Sequence, residues 1–318
     1  MRHGLATILV SAVLVSGCSG TSARQQGTEG TPSLRTIEVA VTVDDLPRFE
    51  DDPIETPLVI HRAFLDAFAR HHVPPVYGFV NGRKLDDHPE DRAALVAWMA
   101  AGQRLGNHTY SHAAMTLPAR YLADVDANER VLRSVAGERP SEIAQWKYFR
   151  YPSLVEGSDL ETRAAIRKGL GDRGYRIVGV TIDLADWAYS APYERCVAQG
   201  NASGVSSLTR TYLEKAVSAL DASNRSAREL VGRAIRHILV LHISRFGAHT
   251  IDPLLAALAK HGARFVSLDD ALADRIYAEE PRLPVVTSGD LFTQIRASRG
   301  IKPSFAAKQF EPVETVCQ

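Results

Sequence analysis

Hydrophobic positions along this chain fall into short apolar runs separated by longer stretches with helical spacing. The runs at 37–43 (IEVAVTV), 74–80, 103–107, 146–150, 175–182 (YRIVGVTI), 237–243 (HILVLHI) and 263–267 predict strands. Between them, 58–71, 90–101, 118–136, 159–172, 206–234 and 252–261 carry the periodicity of amphipathic helices. Such alternation argues for parallel strands in α/β order. Seven strands either close into a barrel or stay an open doubly wound sheet, and periodicity fits both. The stretch 189–206 (YSAPYERCVAQGNASGVS) reads as a loop inserted near the strand ends. After about 276 the pattern fades into a Pro-containing tail, 281–318, to which no element is assigned. No internal repeat is visible.

The N-terminus has a different pattern. Met1-Arg2-His3-Gly4 is a short basic start, and Leu5 to Val15 is apolar but too short to span a bilayer as a mature helix. It closes on Leu14-Val15-Ser16-Gly17-Cys18, which resembles the lipobox of bacterial lipoproteins. The resemblance implies a signal peptide over 1–17 and lipidation of Cys18. Residues 18–35, rich in Ser, Thr, Gly and Gln, then read as a flexible tether. The expected protein is exported and lipid-anchored at the bacterial cell envelope, touching the membrane only through that anchor.

Lysine plus arginine equals aspartate plus glutamate, 37 each. Without a basic block or aromatic-basic interleaving, no nucleic-acid partner is expected. No later run is apolar for long enough to cross a membrane. After Cys18 only Cys196 and Cys317 remain, in a compartment that permits disulfides. A bridge between them would pin the C-terminal tail to the loop after Trp187.

Candidate chemistry gathers at one place in this pattern. Asp44 and Asp45 follow the first predicted strand, His108 follows the third, and Arg150 ends the fourth. Asp183 and Asp186 follow the fifth, and His242 lies near the end of the sixth. Five strands therefore deliver ionisable groups to their C-terminal edge, where α/β folds assemble active sites.

Asp45, His108 and His112 supply one carboxylate and two imidazoles, a set that leaves a divalent ion an open position. The i, i+4 spacing of the histidines predicts that one helical turn aims both at the same point. Zn²⁺ is the expected cofactor, with Co²⁺ as another suitable ion. Such an ion lowers the pKa of its water toward about 7, giving a nucleophile near neutral pH. Asp44 can take the proton, held by an ion pair with Arg150. The turn Arg150-Tyr151-Pro152-Ser153 is placed to present a backbone N–H to a developing oxyanion. His242 can protonate a leaving group, with Asp186 orienting its ring and raising its pKa. Trp187 is either an apolar wall for a sugar or acetyl group or ordinary core packing. His61, His71 and His72 are assigned to the surface, and His88, His249 and His261 receive no role. A nucleophilic serine is disfavoured, because no Gly-x-Ser-x-Gly elbow is present.

Together these residues resemble the polysaccharide deacetylase family, the NodB-like carbohydrate esterases, over about 37–272. Thr42-Val43-Asp44-Asp45 is similar to the family's Thr-Phe-Asp-Asp motif, and His108-Thr109-Tyr110-Ser111-His112 meets its His-Ser/Thr-x-x-His motif in full. Arg150-Tyr151-Pro152-Ser153 matches the Arg-Pro-Pro-Tyr-type turn only in part: the arginine is kept and the tyrosine displaced. Asp186-Trp187 and Leu241-His242 resemble the remaining two motifs.

The resemblance implies an incomplete or distorted (β/α) barrel of about seven parallel strands, with the catalytic domain over 36–276 and an extension over 277–318. It also implies Asp44 as base, His242 as acid, Arg150 and Asp186 as their supports, and Asp45, His108 and His112 as metal ligands. Trp187, Pro152 and Ser153 are the expected substrate-binding residues. The expected activity is metal-dependent removal of N-acetyl groups from an amino sugar polymer or glycan. The alternatives are an O-acetyl esterase or hydrolase of another small amide, and a non-catalytic glycan-binding lipoprotein.

Overall fold

The computed structural model of the protein describes residues 1, 36–49, 55–112, 117–136, 147–302, 313 and 315–318. The predicted signal peptide, tether and Cys18 lie outside the described residues. The described residues from 36 onward belong to one compact unit, Arg35–Gln318.

Strand β1 (Ile37–Leu46) is the centre of the sheet, with β2 (Tyr77–Val80), β3 (Arg104–Asn107), β4 (Tyr148–Phe149) and β5 (Arg176–Ile177) following on one side. On the other side lie β7 (His237–His242) and then β6 (Ile182–Asp183), while β8 (Ala263–Phe265) pairs with the start of β1. All pairings are parallel. The run expected as one strand over 175–182 is divided. Its first part, β5, pairs with β4, and its last part, β6, pairs with β7 at the opposite edge of the sheet. One segment thus meets both edges, so the sheet curls into a distorted (β/α) barrel. Seven segments of chain supply its eight strands.

Side-chain alternation sorts the residues of β1 between two environments. Val39, Val41 and Val43 pack outward in the main core, with Phe64, Phe68 and Trp98 from the surrounding helices. Ala40 faces the barrel interior with Tyr77, Phe79, Val178 and Ile238. Thr42 and Asp44, at the next two even positions, share that inner face. The barrel is thus apolar at its base and polar toward the strands' C-terminal ends.

The helices are α1 (Pro57–Arg70), α2 (Arg83–Asp87), α3 (Arg92–Ala100), α4 (Pro118–Ala136) and α5 (Leu160–Asp172), then α6 (Trp187–Ala198) and α7 (Ala202–Val231). They are followed by α8 (Arg245–Lys260), α9 (Leu268–Leu272) and α10 (Leu291–Ser298). The expected loop at 189–206 is therefore incorrect: it holds α6 and the first turns of α7. Pro192 and Gly200 are locally unfavourable to a helix, but Tyr189, Tyr193 and Cys196 form a buried stripe at helical spacing. Helix α8 begins seven residues before the expected 252, because Ser244 caps it by accepting a hydrogen bond from the Gly247 N–H at 2.9 Å.

The tail also has structure. Helix α10 covers Ala227 and Leu230 at the end of α7 and Ile235 just beyond it, and a Cys196–Cys317 disulfide ties the C-terminus to α6. Gly204 of α7 is needed there, since a Cβ would stand 2.5 Å from the Cys317 Sγ.

Candidate metal centre and its flanking pairs

β1 ends by turning sharply. Asp44 keeps the strand register opposite His242, whereas Asp45 adopts φ 68, a left-handed conformation rare outside glycine. The turn sends two successive carboxylates to different tasks. β3 ends similarly: Asn107 is its last residue, and the chain then passes through Thr109 at φ 65 and His112 at φ 50. His108 and His112 therefore do not share a helical turn, which corrects the reading from their spacing. Two left-handed residues bring them together instead, with ring centroids 5.2 Å apart.

This strained loop has dedicated supports that sequence reading missed. The Asn107 side chain accepts from the Thr109 N–H and from Asn128 Nδ2, and it donates to the Val125 carbonyl and to Tyr175 Oη. Asn81 Nδ2 donates to the His108 carbonyl at 2.7 Å, and Asp124 accepts from the Ser111 N–H. Buried amides bonded to the backbone in this way fix a loop that would otherwise relax. A buried Asn at a strand end was the available signal.

Asp45 Oδ1 lies 3.5 Å from His112 Nε2 and 3.7 Å from His108 Nε2. One donor atom from each of the three residues falls within 4.8 Å of the others. Ligands about 2.1 Å from a tetrahedral ion stand roughly 3.4 Å apart, so the spacing fits zinc or a similar cation. His108 Nδ1 is engaged by the Arg150 carbonyl at 2.9 Å, which places the proton there and turns the Nε2 lone pair toward Asp45. Burial pushes the Asp45 carboxyl up, but Lys84, His108, His242 and His112 outweigh it and hold the group below its ordinary value. Lys84, brought in by α2, is another neighbour that no motif indicated.

Asp44 lies behind this group. Arg150 Nη1 approaches its carboxylate at 3.4 Å, while Nε donates to the Val178 carbonyl and Nη2 to Thr42 Oγ1. The guanidinium is fully buried and lies over the Phe79 ring. With so many fixed contacts, Arg150 orients Asp44 and is not free to reach a ligand.

His242 stands at the end of β7, opposite Asp44 in register. Asp186 accepts from both its ring Nδ1 and its backbone N–H. Burial alone would depress the imidazole, yet Asp186, then Asp45 and Asp44, hold it protonated up to about 10. Phe49 packs edge-on against the ring. The site thus has a carboxylate fixed by an arginine and an imidazolium fixed by a carboxylate, both beside one three-donor group.

The other predicted residues divide. Trp187 is 47 % exposed at the start of α6, which excludes core packing. Pro152 is buried, and Ser153 is exposed at φ 51 beside the Arg150 turn. Against expectation His61 is fully buried, stacked edge-on against Trp98, with Nε2 bonded to the Pro47 carbonyl.

The Polysaccharide deacetylase family model matches residues 33–171, which include the three donors, Asp44 and Arg150. Among solved structures, the chitin deacetylase from the fungal pathogen Colletotrichum lindemuthianum is 23% identical with TM-score 0.53, covering 76% of this chain and 89% of that one. A CE4 family pseudoenzyme from Bacillus anthracis is 18% identical with TM-score 0.50, covering 76% and 66%. A mutant of it with restored enzymatic activity is 19% identical with TM-score 0.50, covering 76% and 69%. No curated protein matches the chain. The family match covers the first half of the described domain, and the likeness to solved structures extends a shared fold over about three quarters of the chain. Because this fold also occurs in a pseudoenzyme, the case for turnover rests on the site residues.

Proposed function

We propose that this chain is a metal-dependent hydrolase that removes N-acetyl groups from an amino sugar polymer or glycan. One observation carries the reading: Arg150-held Asp44 and Asp186-held His242 both flank the Asp45, His108 and His112 donors. Those three residues would hold the ion. When bound, a divalent cation supplies Lewis acidity toward water and the acetamide carbonyl.

The chain's own groups do the remaining work. Asp44 accepts the proton of the attacking water, and its ion pair with Arg150 keeps the carboxylate aimed. His242 gives its Nε2 proton to the departing nitrogen, because Nδ1 is committed to Asp186. This proton favours an amide over an ester, since an amine leaves far less readily than an alkoxide unless it is protonated first. Trp187 offers an exposed apolar face to the sugar or the acetyl methyl. The backbone after Arg150 is the proposed oxyanion donor, with Pro152 and Ser153 shaping that wall.

Acetate release from N-acetylglucosamine oligomers with added Zn²⁺ or Co²⁺ tests the reading, using Asp44→Asn and His242→Ala as controls. If both variants release acetate at the wild-type rate, the mechanism is wrong. We also propose attachment to the cell envelope through lipidated Cys18. Palmitate labelling of the expressed protein, abolished by Cys18→Ala, is the corresponding test.

A further inference from the structure

Asp183 takes no part in the mechanism above, yet the fold aims it at the site. It pairs in register with Val240 of β7, which pairs with Thr42 of β1. Residues paired across parallel strands project from the same face of the sheet, so Asp183 shares the inner face with Thr42, one step below Asp44 and His242. Its neighbour Ile182 faces the other way, into the outer core with Leu239 and Leu241.

Among the described residues only one of its oxygens is used: Oδ1 accepts from the Ala185 N–H at 2.8 Å. That bond closes a turn in which Ala185 adopts φ 47, immediately before Asp186. The other oxygen has no hydrogen-bond partner among the described residues. The residue is solvent-exposed, yet crowding by protein atoms pushes its carboxyl up, against the opposing effects of the Ala185 N–H, His242 and Lys215. Accessible and crowded at once describes a group on the wall of a recess. A carboxylate accepts hydrogen bonds and donates none, so its natural ligand is rich in hydroxyls and free of negative charge.

We propose that Asp183 is a substrate-binding residue whose free oxygen accepts hydrogen bonds from hydroxyls of the sugar beside the metal centre, selecting neutral amino sugars over acidic ones. This rests on the deacetylase reading and narrows its substrate class.

The test is titration calorimetry with tetra-N-acetylchitotetraose, together with steady-state acetate release, for wild type, Asp183→Asn and Asp183→Ala. Asparagine retains the oxygen that closes the Ala185 turn and replaces the other with an amide donor. Asp183→Asn is expected to weaken binding and raise KM about tenfold, the scale of one lost hydrogen bond to a charged group, with kcat within about twofold of wild type. Asp183→Ala should also lower kcat, because the turn that presents Asp186 is lost. Wild-type affinity and KM in Asp183→Asn would overturn the inference, as would a loss confined to kcat. Binding reads Asp183 without turnover. A wild type that binds the tetramer without releasing acetate, and binds it more weakly after Asp183→Asn, would refute the deacetylase reading while supporting this site.

Discussion

Asp186 holds His242 at two points, accepting from its ring Nδ1 at 2.7 Å and from its backbone N–H at 2.8 Å. Ring orientation and charge therefore depend on one carboxylate that is itself buried. Replacing Asp186 with Asn removes the largest influence opposing burial of the imidazolium. The folded pKa then falls from about 10, and the proton is lost at lower pH. The alkaline limb of the kcat profile should move to lower pH, with kcat reduced by about 10²–10⁴ if His242 is the general acid. A pH–rate profile whose alkaline limb does not move would refute this role for Asp186.

Arg150 and Asp44 form a buried pair, and breaking one side should be costly. Arg150→Met leaves Asp44 charged and desolvated, a situation worth about 3–5 kcal/mol of stability in comparable cases. Asp44→Asn in the same chain should recover part of that loss, because no unpaired charge remains. Urea unfolding of the two single variants and the double variant measures the coupling; strict additivity would contradict the pairing.

Two buried histidines outside the site should make the protein acid-sensitive. His61 and His237 are both pushed down by burial, each to about 4. The unfolded chain takes up these protons near 6.5 and the folded one does not. Stability is therefore fully present above about 6.5 and is lost as pH falls toward 4. The loss reaches about 2 kcal/mol per histidine at pH 5. Unfolding free energies at pH 7 and pH 5 should converge in His61→Phe and His237→Phe relative to wild type.

The Cys196–Cys317 bridge closes a loop spanning 121 positions and holds the C-terminal residues against α6 and α7, with Arg195 and Gln199 donating to the Val316 and Cys317 carbonyls. Cys196→Ser with Cys317→Ser should lower stability by about 2–4 kcal/mol through the freed unfolded chain. The comparison is the urea midpoint under non-reducing conditions, and an unchanged midpoint would contradict it.

The sequence located the site better than it described its local geometry. Apolar runs ending in ionisable residues placed Asp44, Asp45, His108, Arg150, Asp186 and His242 at one edge, and the structure gathers them there. The histidine spacing was read as a helical turn because i, i+4 fits one. The left-handed bends at Thr109 and His112 that bring the rings together instead depend on Asn107 and Asn81, whose hydrogen bonds leave no periodic trace. The division of 175–182 was equally hidden, since it depends on the barrel curling until both edges reach one segment. Helix α6 and the start of α7 were obscured because Pro192 and Gly200 are locally helix-breaking, while the Tyr189, Tyr193 and Cys196 stripe gains its stability from tertiary packing; the rest of α7 follows the helical spacing over 206–234. His61 was misplaced because a histidine on an amphipathic helix is ordinarily exposed, and only the Pro47 carbonyl and the Trp98 ring explain its burial.

The most direct measurement is acetate release from N-acetylglucosamine oligomers by the Zn²⁺-loaded protein, compared with Asp44→Asn loaded in the same way. The account predicts steady acetate production by wild type and a rate at least about 100-fold lower in the variant, the minimum expected for a general base. Equal rates in the two proteins, or no acetate from the loaded wild type, would contradict it.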